Sequence, residues 1–162
     1  MQVQIDHDMV FVDEADWEYL QYLRWRTIHG KRTRYIRLYC ANVGMHRILL
    51  NPPRGHVVDH INGNGLDNRR INLRIATPQQ NAWNHPKAKR QTLVSSRYKG
   101  VSFRPPQKAA RRYSNIHRLW RAAITVNGKR HILGQFASEL EAALVYDQAA
   151  TEHFGEFARL NF

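Results

Sequence analysis

The chain has 162 residues, of which 25 are Lys or Arg and 13 are Asp or Glu, so its formal net charge is +12. An apolar fraction of 43% permits a packed core and argues against wholesale disorder. No apolar run approaches the roughly 18 residues of a membrane helix, and the first residues do not form a secretory signal. The single cysteine, Cys40, excludes an internal disulfide and a multi-cysteine zinc site. We therefore expect a cytoplasmic protein with no membrane contact and no structural zinc.

The positive charge is concentrated in the middle of the chain. Residues 1–18 carry six acids and no Lys or Arg, and residues 135–162 carry five acids and one Arg. The segment 19–134 therefore holds 24 basic residues and only two acids, Asp59 and Asp67. Such a block favours a polyanionic partner, most commonly nucleic acid. A carboxylate on a phosphate-binding surface is unfavourable unless it has a task, such as holding a metal ion.

The first segment, residues 1–45, is expected to form short strands around one helix. Residues 9–12 fit a strand, and residues 13–20 begin a helix whose first turn is acidic, which suits the helix dipole. Residues 24–28 and 35–39 alternate basic with apolar or aromatic residues, which predicts a hairpin with one basic face. We expect two side chains on that face to contact DNA: Arg26 and Arg37.

The second segment, residues 46–85, places polar side chains at the end of a strand. Residues 57–58 predict a strand that ends in Asp59 and His60, residues 62–65 a tight turn, and residues 73–76 a return strand. Thr77 followed by Pro and then Gln80 predicts a helix start with a capping box. This order of elements is expected to gather four side chains: Asp59, His60, Asn72 and Asn81.

These four residue types suit phosphodiester hydrolysis. Asp59 and the amide oxygen of Asn81 are ligands that a hard cation such as Mg²⁺ or Mn²⁺ prefers. His60 can activate water near neutral pH. Its tautomer must be fixed by a neighbour, a role open to Asn72 or to a backbone carbonyl. For His46 we weigh packing or phosphate contact against catalysis, and His85 and Asp67 have no assigned role.

The spacing of these residues resembles that of HNH endonucleases of the phage and intron homing type. The similarity covers about residues 45–85 and runs through Met45-His46-Arg47, residues 58–64, Asn72-Leu73-Arg74 and Gln80-Asn81. It implies a ββα-metal fold in which Asp59 and Asn81 are metal ligands, His60 is the general base and Asn72 orients it. This chain has Asn81 where the family name has its second His, which favours Mg²⁺ or Mn²⁺ over zinc. Residues 1–45 are similar to the extension that often precedes this motif.

The last part of the chain predicts a second, different unit. Residues 86–96 read as a basic linker. Residues 99–104, 120–126 and 129–134 fit three strands, and Asn127-Gly128 is a strong signal for a hairpin turn between the last two. Ser138 with Glu141 predicts a capped helix that ends near Gly155.

Residues 97–162 resemble the DNA-binding domain of plant APETALA and ethylene-response factors. The similarity runs through Tyr98-Lys99-Gly100-Val101, residues 120–124, residues 133–136 and residues 141–150. It implies a three-stranded antiparallel sheet packed on one helix, with the sheet in the major groove. The implied DNA contacts are Lys99, Arg104, Arg130 and Trp120. We expect phosphate contacts from Arg121 and Lys129.

Taken together, the sequence predicts an α+β protein with four segments: 1–45, 46–85, 86–96 and 97–162. The expected function is a metal-dependent, site-specific endonuclease of double-stranded DNA, of the homing type, produced by a phage or mobile element. The first alternative is a sequence-specific DNA-binding regulator with an inactive HNH remnant. A further one, an RNA-binding protein, fits the charge but not a groove-reading sheet. No protein partner is implied, although self-association is possible.

Overall fold

The computed structural model describes residues 1–87, 96–104 and 120–162. The chain divides into two compact units, Met1–Asn84 and His85–Phe162. Most of the predicted linker, residues 88–95, lies outside the described part of the chain. No helix among the described residues is long and apolar enough to cross a membrane.

The first unit is built from antiparallel strand pairs and short helices, β1 with β2, β3 with β4, and β5 with β6. In chain order its elements are β1 (Gln2–Ile5), β2 (Asp8–Phe11), α1 (Glu14–Leu20), β3 (Trp25–His29), β4 (Arg34–Leu38), α2 (Met45–Leu50), β5 (Val57–His60), a 3₁₀ turn (Arg70–Asn72), β6 (Leu73–Ala76) and α3 (Pro78–Trp83).

One apolar core joins the predicted extension to the segment that follows it. Val10, Ile36 and Met45 are fully buried together, although they come from β2, β4 and α2. Leu49 and Leu66 pack against the same cluster from the second segment. The burial of each such side chain stabilises the fold by about 1.5–3 kcal/mol. Residues 1–45 and the segment that follows them therefore stabilise each other through one shared core.

The β5–β6 hairpin and α3 form as the sequence predicts. Val57 pairs with Ala76 and His60 with Leu73, so Asp59 and His60 end β5. Thr77 caps α3: its hydroxyl accepts the Gln80 backbone N–H at 3.2 Å, and the Gln80 side chain accepts the Thr77 N–H at 2.8 Å.

Helix α2 was not predicted. It is only six residues long, and its N-cap, Gly44, makes no side-chain capping bond. None of the usual start signals was therefore present, and the pattern of residues 45–50 is too short to show a helical period.

The second unit contains β7 (Val101–Phe103), β8 (Trp120–Val126), β9 (Lys129–Phe136), α4 (Glu139–Phe154) and a 3₁₀ turn (Gly155–Phe157). The strands form one antiparallel sheet in the order β7-β8-β9, and α4 packs against it through Ala142 and Ala143. The turn between β8 and β9 has positive φ at both Asn127 and Gly128, as a two-residue hairpin requires.

The predicted cap of α4 differs in one bond. Ser138 is the N-cap, but its hydroxyl accepts the N–H of Leu140 at 3.2 Å rather than that of Glu141. The helix ends at Phe154 with Gly155 in a positive-φ conformation, as expected. Both units thus combine short strands with helices, and the chain has the predicted α+β composition.

Candidate active site

Asp59 and His60 lie at the end of β5 and face opposite sides of the β5–β6 hairpin, because successive side chains of a strand alternate. Asp59 contacts Arg74 across the hairpin and Asn84 at the end of α3. His60 instead contacts Tyr35 of β4 and His46 of α2. The two side chains therefore have separate sets of partners on the two faces of the hairpin.

Asp59 is a buried carboxylate, with 4% of its surface exposed. Its Oδ2 accepts from Nε of Arg74 at 2.9 Å and from a terminal guanidinium nitrogen of Arg74 at 2.8 Å. The Nδ2 of Asn84 lies 3.1 Å from both carboxylate oxygens. Within the described residues, Oδ1 has only this one donor, so it keeps acceptor capacity for a further ligand.

His60 is buried in a cluster of three rings. Its ring centroid is 5.0 Å from that of His46, edge to face, and 5.9 Å from that of Tyr35. Nε2 lies 3.5 Å from Oδ1 of Asn68, which is fully buried. Burial lowers the pKa of His60, against the opposing effects of Asn68 and Asp59. The imidazole is therefore neutral near pH 7, the form that can accept a proton.

His46 is the second imidazole of this cluster. Burial, and next the neighbouring His60, lower its pKa to about 3. Its Nδ1 is buried and has no hydrogen-bond partner among the described residues. The backbone of Gly44 passes directly beside the ring, where a Cβ would collide with it. The structure therefore packs His46 against His60 as a neutral ring.

Asn72 holds the loop that follows His60. Its Oδ1 accepts the N–H of Asn62 at 3.0 Å, and its Nδ2 donates to Asn62 Oδ1 at 3.1 Å and to the carbonyl of Asp67 at 2.8 Å. Its own carbonyl accepts the N–H of Ile61 at 2.9 Å. In the described structure Asn72 thus acts on the backbone beside His60, and the side chain that contacts Nε2 of the imidazole is that of Asn68.

Asp67, which had no assigned role, has a structural one. Arg69 donates to both of its oxygens at 2.7 and 2.8 Å, and Asn62 Nδ2 donates at 3.0 Å. The hydrogen bonds from Arg69 lower the pKa of the Asp67 carboxyl. This ion pair and the Asn72 contacts fix the loop from both ends. Gly65 permits the loop to lie against the carbonyl of Arg34, where a Cβ would clash.

Asn81 lies on α3, one turn before Asn84 and therefore on the same face of the helix. Its side chain is half-buried and makes no hydrogen bond to the described residues, so its amide oxygen is available as a ligand. Among the described residues, no group of three or more His, Cys, Asp or Glu forms a metal site. The predicted ligands, one carboxylate and one amide oxygen, are not such a group, and oxygen ligands of this kind suit a hard cation.

Sequence reasoning assigned no role to four residues of this site: Arg74, Asn84, Tyr35 and Asn68. Arg74 could have been found by counting the register of the predicted hairpin, because it pairs directly with Asp59. Asn84 repeats the Asn81 position one helical turn later. No signal near Tyr35 indicated that it would reach His60, since that contact depends on how β4 packs.

The two predicted DNA-contacting residues of the first unit lie opposite each other. Arg26 pairs with Arg37 across β3 and β4, and Tyr35 shares their face because it is two residues from Arg37. Both guanidinium groups contact Asn42. Arg26 donates to its side-chain Oδ1 at 3.3 Å, and Arg37 donates to its backbone carbonyl at 3.3 Å. The Nε atoms of both arginines are buried, and within the described part of the chain neither has a hydrogen-bond partner. The basic face of the hairpin is therefore continuous with the ring cluster around His60.

In the second unit, Arg121 and Arg130 lie on the outer face of the sheet, opposite α4. Arg121 pairs with Ser102 and Gln135, and Arg130 pairs with Thr125. The other basic residues predicted to contact DNA differ in how far they are exposed to solvent. Arg104 and Lys129 are exposed, whereas Lys99 is half-buried, which lowers its pKa to about 8 and leaves it charged at pH 7.

Trp120 lies on the other face, where it packs against the core cluster and meets Phe103 edge to face at 5.1 Å. Packing accounts for its position.

The overall sequence has close relatives among viral proteins. It is 31% identical over 157 residues to an uncharacterized HNH endonuclease of Acanthamoeba polyphaga mimivirus, over 93% of this chain and 73% of the relative. The chain belongs to the HNH endonuclease family. It is therefore an enzyme, a nuclease that hydrolyses DNA. The HNH endonuclease family model matches residues 51–83, which include β5, β6 and α3.

Two further relatives match smaller shares of this HNH endonuclease. Protein 3.8 of Escherichia phage T7 is 35% identical over 109 residues, 66% of this chain and 77% of the relative. A dehydration-responsive element-binding protein of Arabidopsis thaliana is 52% identical over 42 residues, which is 26% of this chain and 17% of the plant protein. No solved structure matches the chain.

Proposed function

We propose that this HNH endonuclease is a metal-dependent, site-specific enzyme of the homing type that acts on double-stranded DNA. In this proposal residues 46–85 cut the DNA, residues 1–45 extend the contact, and residues 97–162 supply most of the recognition. The observation that carries it is the pair Asp59 and His60, consecutive residues at the end of β5 whose side chains are both buried and both held by fixed contacts.

His60 is the general base of the proposed reaction. It takes a proton from the attacking water, which requires a neutral imidazole near pH 7, and its burial supplies that form. The rings of His46 and Tyr35 fix the orientation of His60. Asn72 supports it indirectly, because it fixes the backbone of Asn62 and Ile61 immediately after His60.

Asp59 and Asn81 would hold the divalent cation, Mg²⁺ or Mn²⁺. Oδ1 of Asp59 keeps acceptor capacity, and the side chain of Asn81 makes no competing bond within the described residues. Both are hard oxygen donors. A cation bound there supplies compensation for charge on the scissile phosphate and on the leaving oxygen.

Cationic side chains are proposed to carry the DNA on both units. In the first, Arg26 and Arg37 bind backbone phosphates beside the site, because their face continues to Tyr35 and His60. In the second, the proposed contacts are Lys99, Arg104, Arg121, Lys129 and Arg130. Trp120 is left out of this surface because it packs against the core.

The plant relative supports the role of the second unit. Its name describes a protein that binds a dehydration-responsive element, and the match has 52% identity over 42 residues. A three-stranded sheet with α4 packed on one face carries Arg121 and Arg130 on the opposite face. Such a face can enter a DNA groove.

The test is nicking of plasmid DNA in the presence of Mg²⁺. Wild type converts supercoiled plasmid to nicked circles, EDTA abolishes this, and His60→Ala lowers the rate by about 10²–10⁴-fold. His7→Ala, which removes an exposed imidazole from the β1–β2 turn, is the matched control and keeps the wild-type rate. Nicking that continues unchanged in His60→Ala contradicts the catalytic assignment, and binding without any cleavage supports a DNA-binding regulator instead.

A further inference from the structure

Asn84 occupies an unusual position at the end of α3, with 5% of its surface exposed. Its Nδ2 has four oxygen neighbours, both carboxylate oxygens of Asp59 at 3.1 Å, the carbonyl of His60 at 3.0 Å and the carbonyl of Ile61 at 3.1 Å. An amide nitrogen has two protons to share among these acceptors. One side chain thereby joins the end of α3 to the end of β5 at the residues of the proposed site.

Arg74 approaches the same carboxylate from β6. Its two donors, at 2.9 and 2.8 Å, both go to Oδ2, so Oδ2 has three donors in all while Oδ1 has one. The side chains of Arg74 and Asp59 are only 11% and 4% exposed, so this ion pair is largely shielded from water. The carboxylate is therefore held asymmetrically, with one oxygen saturated and the other open.

We propose that Asn84 and Arg74 are positioning residues of Asp59, which fix its carboxylate so that Oδ1 alone is presented to the divalent cation. This inference rests on the proposed function, in which Asp59 is a metal ligand. Partners of a metal ligand orient it in advance of binding, and their removal typically weakens metal affinity or activity by about 10- to 100-fold.

The ion pair between Asp59 and Arg74 also affects whether a cation binds in the absence of DNA. Arg74 offsets the charge of Asp59, and the neighbouring side chains Asn81 and Asn84 are neutral. The charge of Asp59 is therefore offset within the protein, and we expect a DNA phosphate to supply the further negative charge that favours a divalent cation. For this reason the binding measurement includes a duplex.

The experiment measures Mn²⁺ affinity by electron paramagnetic resonance with a DNA duplex present. All proteins carry His60→Ala, so that the duplex is not cleaved during the measurement. Adding Asn84→Ala or Asn84→Asp weakens Mn²⁺ binding by about 10- to 100-fold. Arg74→Lys, which keeps the charge but loses the two-point contact, weakens it in the same direction. In the otherwise wild-type enzyme, excess Mn²⁺ restores nicking by the Asn84 variants, while DNA affinity in EDTA is unchanged. Gln79→Ala, an exposed amide on the same helix, is the matched control and has no effect.

Unchanged Mn²⁺ affinity in Asn84→Ala overturns the inference. So does tighter binding in Asn84→Asp, which would make Asn84 itself a ligand. If Asn84→Ala does not fold, as judged by circular dichroism, the isosteric Asn84→Asp and the charge-conserving Arg74→Lys replace it. Unchanged Mn²⁺ affinity in both of these variants then overturns the inference. A parent protein that nicks without binding Mn²⁺ at all contradicts the proposed metal site rather than the positioning role.

Discussion

The two units of the molecule use polar side chains in opposite ways. In the first, Asp59 and His60 are 4% and 6% exposed, and each is fixed by several neighbours. In the second, Lys129 and Arg130 lie exposed beside a hairpin turn. Chemistry on a phosphodiester requires groups that are held in place before the substrate arrives. Recognition of a long polyanion requires cations that can reach it. The difference predicts that variants of the two units fail in different ways.

The largest effect is expected from Asp59→Ala. Removal of the carboxylate deprives the proposed cation of its charged ligand, so Mg²⁺-dependent nicking is lost. It also removes the carboxylate that accepts two hydrogen bonds from the largely buried guanidinium of Arg74, which lowers the free energy of unfolding by about 1–3 kcal/mol. Urea unfolding and plasmid nicking measure the two effects.

Arg130→Gln in the second unit is the comparison for this variant. Its side chain is exposed, and a surface substitution changes the free energy of unfolding by less than about 0.5 kcal/mol. Equal losses of stability in Asp59→Ala and Arg130→Gln would contradict the contrast between the two units.

The next largest effect is expected from the double variant Arg121→Gln/Arg130→Gln. Loss of two cations from the outer sheet face weakens DNA binding by about tenfold or more. It also lowers the slope of the logarithm of the binding constant against the logarithm of salt concentration, by about one for each lost phosphate contact. Titration of a labelled duplex at several salt concentrations measures both. The nicking rate at saturating DNA stays at the wild-type value, and a rate that falls in parallel with affinity would show that the sheet takes part in the chemistry.

The local patterns of the sequence were enough to predict the elements that form the site. Val57-Val58, the Asn62–Gly65 turn and the Thr77 cap each depend on residues close in the chain, and β5, β6 and α3 follow from them. The partners of Asp59 and His60 could not be predicted in this way. Tyr35 is 25 positions from His60 in the chain and reaches it through packing of β4, while Asn84 depends on where α3 ends.

The roles of Asp59, His60, Asn72 and Asn81 remain predictions, drawn from the sequence pattern and from the resemblance to HNH endonucleases. Their placement in the structure adds a specific reason for three of them: a buried carboxylate, a neutral imidazole and a loop-holding amide.

The pH dependence of nicking separates the buried histidine from an exposed one. Burial lowers the pKa of His60 from its ordinary value of 6.5, so the neutral base persists to lower pH. The acid limb of kcat/KM against pH therefore has its midpoint below 6.5, and activity is retained as pH falls through that value. A midpoint at or above 6.5 would contradict a buried base.

A smaller effect concerns stability. His46 has a pKa of about 3 in the folded protein and an ordinary value of 6.5 when unfolded, so between these values the unfolded chain binds the extra proton. The contribution of His46 to stability is complete above pH 6.5, and it falls with pH by up to about 1.4 kcal/mol per unit towards pH 3. His46→Phe keeps a ring and removes this part of the slope, which urea unfolding across pH 4–7 measures. An unchanged slope would place the His46 imidazole in solvent.

The central claim is that the imidazole of His60 takes the proton in DNA hydrolysis. Its most direct test is nicking by His60→Ala with and without free imidazole, at saturating DNA and Mg²⁺. We expect that the variant loses activity by about 10²–10⁴-fold, binds DNA as tightly as wild type, and recovers nicking as imidazole is added. Wild-type nicking by His60→Ala without imidazole would contradict it.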